Sequence, residues 1–387
     1  MSYRALTALM SFVLALGAAS VTSAAGVQSS GPGHLAVRGQ DIVDPSGRPI
    51  LLRGWNWGHF GKAVEADAAE NAAQGANVVR LPIRWWGFYQ GEGIESRNDQ
   101  APGGIDPRQL QIIDDNVRWA SRAHLWIILF IDSNCGQNGT QNDKMVQYCD
   151  PGHKYPNGHN FWSDPEARGR FINLWRFIAA RYKDTPYLGM FEPLPEPGGP
   201  NVSGEQIQQF YAETMNAIRQ VAPGIPFLVG GFKYRAPQVR QVYNPAWKDV
   251  VYTGNLFLHE GNGVGNGFDG GGGGGKKNKK GRELAAGDIG MGSIRERAQD
   301  LLDLRNKANV PLFIQQIGVK QGEDPDQSQL RQLLGFVNDN RIGFAYWEYR
   351  GSKSPDSYGV LYGAGKNGGR WETNQPALGA ISQAFER

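Results

Sequence analysis

Short apolar runs recur along the chain at 51–57, 77–83, 125–131, 187–193, 225–230, 249–257, 310–316 and 342–347. Their length suits buried strands, which need no polar face when both sides are covered. Between most of them lie longer amphipathic stretches, at 108–123, 165–183, 203–221, 293–308 and 326–339, with the spacing of helices. Several of these open with a cap or a first-turn proline: Asp106-Pro107, Asp164-Pro165, Ser203 and Asp324-Pro325. Ahead of them, HLAVRGQDIVDPSGRPILLR alternates and breaks at Asp44-Pro45-Ser46-Gly47, which predicts a β-hairpin. Eight strands alternating with helices predict an α/β fold, a (β/α)8 TIM barrel with an N-terminal β-hairpin, rather than an open sheet.

The first residues have a different pattern. Arg4 precedes the apolar run Ala5–Ala19, and the small residues Thr22, Ser23, Ala24 and Ala25 follow. That order predicts a signal peptide over 1–25, cleaved near Ala24 or Ala25, with a retained anchor as the alternative. Residues 26–387 then form a single domain, since no interior linker separates two cores. With 387 residues and 40% apolar content the chain can bury one large core, and a net charge of +3 offers no field for nucleic acid. Export makes a Cys135–Cys149 disulfide the expected state, with two free thiols as the alternative. His153 and His159 lack ligand spacing, so no metal is expected, and no organic cofactor is implied. The stretch 261–281 combines a glycine run with Lys276, Lys277, Lys279 and Lys280 but lacks the ending of a phosphate loop. It reads as a solvated loop, or alternatively as a clamp for an anionic polymer.

Barrel enzymes carry their chemistry at the C-terminal ends of strands. Those ends supply Trp55, Asn56 and Trp57; Arg80 and Arg84; Asp132; Glu192 and Glu196; Asn255, His259 and Glu260; Gln316; and Trp347 and Glu348. Carboxylates, amides and flat aromatic rings are what a carbohydrate cleft requires.

The segments DIVDPSGRPILLRGWNW at 41–57, NVVRLPIRWW at 77–86, FEPLPEP at 191–197, FIQQIGV at 313–319 and FAYWEYR at 344–350 together resemble glycoside hydrolase family 5, the cellulase-like retaining glycosidases. The resemblance implies an acid/base at Glu196, a nucleophile position at Gln316, and substrate-binding roles for Arg80, Trp57, Asn255 or His259, and Trp347. It implies a β-linked polysaccharide or oligosaccharide as partner; the leader predicts a secreted or periplasmic location with no membrane partner after signal removal, and a monomer is the expected state. Four departures accompany it. Pro195 replaces an asparagine that reads the sugar's 2-hydroxyl, Asp132 and Asn255 replace histidines, and Gln316 replaces a glutamate. An amide is a poor nucleophile, so standard retaining hydrolysis is expected to be weak or absent. The alternatives are an inverting pair of Asp132 and Glu196, a substitute acid at Glu192, Glu260 or Glu348, and a glycan-binding pseudoenzyme without turnover.

Overall fold

The computed structural model describes residues 33–58, 61–85, 94, 104–132, 161–162, 164–198, 202–231, 236–258, 291–351, 358–363 and 370–386. The leader, Cys135, Cys149, His259, Glu260 and the 261–281 stretch lie outside these residues. A short hairpin, β1 (Ala36–Arg38) and β2 (Asp41–Val43), comes first. Then follow β3 (Arg53–Asn56), α1 (Glu65–Ala73), β4 (Val78–Arg84), α2 (Pro107–Arg122), β5 (Trp126–Asp132), α3 (Pro165–Tyr182), β6 (Leu188–Glu192), α4 (Gly204–Arg219) and β7 (Phe227–Gly230). The second half runs β8 (Val250–Thr253), β9 (Asn255–Leu258), α5 (Met291–Ala308), β10 (Phe313–Val319), α6 (Ser328–Asp339), β11 (Gly343–Tyr346), β12 (Leu361–Tyr362), β13 (Glu372–Thr373) and α7 (Gln375–Phe385).

The parallel sheet has the order β8-β7-β6-β5-β4-β3-β11-β10-β9. β8 and β9 are two halves of one barrel strand broken at Gly254. The first half pairs with β7 and the second with β10, and Tyr252 bridges to Leu312, so eight strand positions close on themselves. This is the expected (β/α)8 architecture.

Period-two alternation sorts the barrel's interior into layers. Val78, Ile128, Met190, Leu228, Val251 and Phe313 form an apolar floor, which Leu35 and Ile42 of the hairpin segment plug from below. Two residues further along those strands come Arg80, Phe130, Glu192, Gly230, Thr253 and Gln315. The interior therefore turns from apolar to polar within one strand step.

Local chemistry adjusts two of the expected boundaries. The hairpin turns at Gly39, whose φ is +58°, and Asp44–Gly47 makes a second turn that leads the chain back to the barrel. There the Asp44 carboxylate accepts from the Ser46 and Arg48 amides at 2.9 and 3.0 Å. The helix expected from Asp324-Pro325 begins at Ser328, yet Asp324 still caps it, accepting from the Gln329 and Leu330 amides at 3.1 and 2.8 Å. Asp106, Asp164 and Ser203 cap α2, α3 and α4 as expected.

The floor should dominate stability. Met190→Ala is expected to cost about 2–5 kcal/mol in urea unfolding, because Met190 is fully buried. Phe177→Ala on α3, where the ring is 37% exposed, is expected to cost less than about 0.5 kcal/mol.

Candidate functional site

The polar interior layer is built around Arg80. Its guanidinium donates to Glu192 twice, Nε to Oε2 at 2.6 Å and Nη2 to Oε1 at 2.9 Å, and both side chains are fully buried. Nη1 donates to Asn56 Oδ1 at 2.9 Å, and the guanidinium carbon stands 3.6 Å over the Phe130 ring. Asn56 in turn donates through Nδ2 to the backbone carbonyls of Gln315 and Ala345, at 2.8 and 3.0 Å.

The contact with Gln315 marks an irregularity in β10. Ile314 pairs with Phe344 and Ile317 with Tyr346, so three steps on β10 match two on β11 and the strand bulges at Gln315-Gln316. A bulged residue loses its ladder partners. Here side chains replace them: Thr253 Oγ1 accepts from the Gln315 amide at 3.1 Å, and Asn56 donates to its carbonyl. In a regular strand two successive side chains point to opposite faces. The bulge instead lets both glutamines reach Asn255: Gln315 Nε2 donates to Asn255 Oδ1, and Asn255 Nδ2 lies 3.4 Å from Gln316 Oε1.

Asn255 also donates to Glu196 Oε1 at 2.6 Å. Glu196 follows β6 in the segment Pro193–Pro197 and has a φ of +47°. A residue without glycine's freedom holds that conformation only when its surroundings impose it. Three aromatic donors do so: Trp175 Nε1 to the Pro193 carbonyl at 2.7 Å, the Tyr211 hydroxyl to that of Leu194 at 2.9 Å, and Trp162 Nε1 to that of Gly198 at 2.7 Å. Glu196 and Gln316 are each 8% exposed, enough to meet a ligand at the mouth of the barrel.

Other expected site residues fall in different places. Arg80 lies beneath the site with its charge met by Glu192, so it positions other groups rather than presenting itself to a sugar. That pairing also removes Glu192 as a substitute acid. Trp57 is 3% exposed and donates its indole N–H to Asn71 of α1 at 2.8 Å, so its ring packs between barrel and helix. This corrects the expectation that Trp57 binds substrate. Trp347 remains half-buried at the end of β11, with the edge of its ring against Gly58, where a Cβ would come within 2.5 Å of it. Glu348 is 4% exposed, and the neighbouring Arg350 pairs with Asp67. Asp132 stands at the end of β5, opposite Arg84 in register.

Sequence reasoning missed Gln315 and Thr253. The doublet Gln315-Gln316 inside an apolar strand was the available signal, because two adjacent amides cannot both face one site unless the strand bulges.

Residues 43–353 match the family model described as Cellulase (glycosyl hydrolase family 5). Among curated proteins, the chain is 28% identical over 175 residues to a probable glucan 1,3-beta-glucosidase A of Aspergillus terreus, covering 43% of this chain and 36% of that protein. It is 24% identical over 217 residues to mannan endo-1,4-beta-mannosidase 3 of Oryza sativa subsp. japonica, covering 51% and 45%. The chain thus spans less than half the length of these relatives. Among solved structures, Thermotoga maritima Cel5A in complex with cellobiose superposes with a TM-score of 0.61 at 20% identity, over 86% of this chain and 97% of that one. The cellulose synthase subunit Z of Clostridioides difficile gives a TM-score of 0.58 at 18% identity, over 86% and 99%. These two likenesses show the fold.

Glu192→Gln strands the Arg80 charge in the interior and is expected to cost about 3–5 kcal/mol in chemical unfolding. Glu196→Gln removes one hydrogen-bonded carboxylate at the mouth and is expected to change stability by about 1 kcal/mol or less.

Proposed function

The chain belongs to the cellulase family, glycosyl hydrolase family 5, and from that premise we propose that its strand-end cleft takes a β-linked polysaccharide or oligosaccharide while the usual retaining hydrolysis is absent or severely weakened. Glu196, after the fourth barrel strand, stands in the acid/base position. Gln316, in the seventh, stands in the nucleophile position.

One observation carries the reading: Asn255 Nδ2 lies 2.6 Å from Glu196 Oε1 and 3.4 Å from Gln316 Oε1, which keeps the two oxygens within about 6 Å of each other. A retaining pair needs carboxyls about 5–5.5 Å apart, whereas an inverting pair is wider. The spacing therefore suits a retaining site in which one acid has become an amide. Gln316 carries no negative charge with which to attack C1 or to stabilise an oxocarbenium ion. Losing a catalytic nucleophile costs on the order of 10⁴–10⁶ in rate. The names of the relatives, a β-glucosidase and a β-mannosidase, support β-linked glycans as the class bound. The leader at 1–25 supports a secreted or periplasmic mature protein, the net charge of +3 argues against a nucleic-acid partner, and the mature protein is taken to be a monomer.

The test is a panel of β-glucan, mannan and xylan oligosaccharides offered to the mature protein and to Gln316→Glu and Glu196→Gln variants. Binding without measurable hydrolysis is expected of the wild type, and hydrolysis is expected to appear in Gln316→Glu. Wild-type turnover at the rate of an ordinary retaining enzyme would overturn the reading. Turnover with inversion would bring Asp132 in as the second carboxylate.

A further inference from the structure

The amide at Gln316 raises the question of what could react at C1 when the nucleophile position holds no carboxylate. The site keeps a carboxylic acid, Glu196, and sets beside it a neutral acceptor, Gln316 Oε1. The 3.4 Å contact with Asn255 is slack, so that oxygen retains capacity for a second donor. Asn255 cannot turn to take over the role, because Gln315 Nε2 holds its oxygen and Glu196 its N–H. Next to the acid in the chain, Pro195 has neither an N–H nor a polar side chain to offer a sugar hydroxyl. A donor on the sugar that lies near Gln316, together with a nucleophile that comes from the sugar itself, meets both conditions.

We propose that the sugar cleaved in this cleft is a β-linked 2-acetamido-2-deoxy glycoside, hydrolysed with assistance from its own acetamido group; the inference rests on the reading of Glu196 as acid and of Gln316 as the replaced nucleophile. In the first step the acetamido carbonyl oxygen bonds to C1. The C1–O bond to the leaving group breaks, its electron pair stays on the departing oxygen, and that oxygen takes the proton of Glu196. The product is a cyclic oxazolinium ion whose positive charge is shared with its N–H, and Gln316 Oε1 accepts that N–H. In the second step water adds to C1 and gives a proton to the Glu196 carboxylate, while the ring C1–O bond breaks and restores the acetamide. Retention of configuration follows from the two inversions, and nothing beyond water is consumed. Substrate assistance of this kind is an established exception to the two-carboxylate scheme. Trp347, whose amide donates to the Ile317 carbonyl at 2.8 Å, lies beside this part of β10 and supplies apolar surface for the acetamido methyl.

The test uses the thiazoline analogues of N-acetylglucosamine, N-acetylgalactosamine and chitobiose, stable mimics of the oxazolinium ion, in calorimetric titrations of the mature protein. At least one should bind the wild type with uptake of a proton on its ring nitrogen, and Gln316→Ala should weaken that binding by about tenfold or more, the effect of removing a hydrogen bond to a charged group. Aryl glycosides of the sugar that binds should be cleaved with retention, more slowly as the N-acyl group is progressively fluorinated. If no thiazoline binds while β-glucan or mannan oligosaccharides do, the acetamido assignment is overturned and the cleft reading stands. If thiazoline binding is unchanged in Gln316→Ala, the role of Gln316 is overturned. If neither class binds, both readings fall.

Discussion

Everything above the barrel floor depends on the buried ion pair between Arg80 and Glu192. Two charges removed from water are costly unless their remaining hydrogen-bonding capacity is met. Here the carboxylate is engaged in two places, Asn56 takes a further N–H, and Phe130 covers the guanidinium face. Meeting those demands fixes the orientation of Asn56. Its oxygen faces Arg80, so its nitrogen faces β11 and β10, where it donates to the Ala345 carbonyl and to the Gln315 carbonyl that the bulge has set free. The ion pair therefore sets the shape of β10 from across the barrel.

From the bulge the same logic passes to the site. Gln315 orients Asn255, and Asn255 binds Glu196 and approaches Gln316. Glu196 is tied back to the strand that bears Glu192 by the three residues Pro193, Leu194 and Pro195. The contacts thus encircle the interior, beginning and ending on FEPLPEP. A polar network in a low-dielectric interior rigidifies when its members are matched, and the site inherits that rigidity. The far side of the mouth is held separately. α1 takes Arg350 through Asp67 and the Tyr349 hydroxyl through Glu70, at 2.7 Å for the latter, which fixes the chain just beyond Trp347.

How much of this was legible in the sequence follows from which rule each part obeys. The eight strands were visible because both faces of each are covered, which leaves continuous apolar runs. Helices α2 to α6 were visible because their inner faces are apolar. Helix α1 was not, since its buried residues are Asp67, Ala68 and Asn71, a polar face that serves Arg350 and Trp57 and has no hydrophobic period to detect. Trp57 was misassigned for a related reason: one step past the strand, its ring turns outward to α1 rather than upward to the cleft. Glu196 and Gln316 could be picked out by motif, whereas their joining through Asn255 depends on a bulge, and a register shift leaves no mark on composition or periodicity.

The most direct measurement is a crystal structure of the protein bound to a β-linked oligosaccharide. The account predicts a sugar ring whose anomeric carbon lies between Glu196 and Gln316, with the Asn255 contacts to Gln315 and Glu196 intact. A ligand bound elsewhere on the barrel, or a cleft in which Gln316 has turned away and Asn255 has released Glu196, would contradict it.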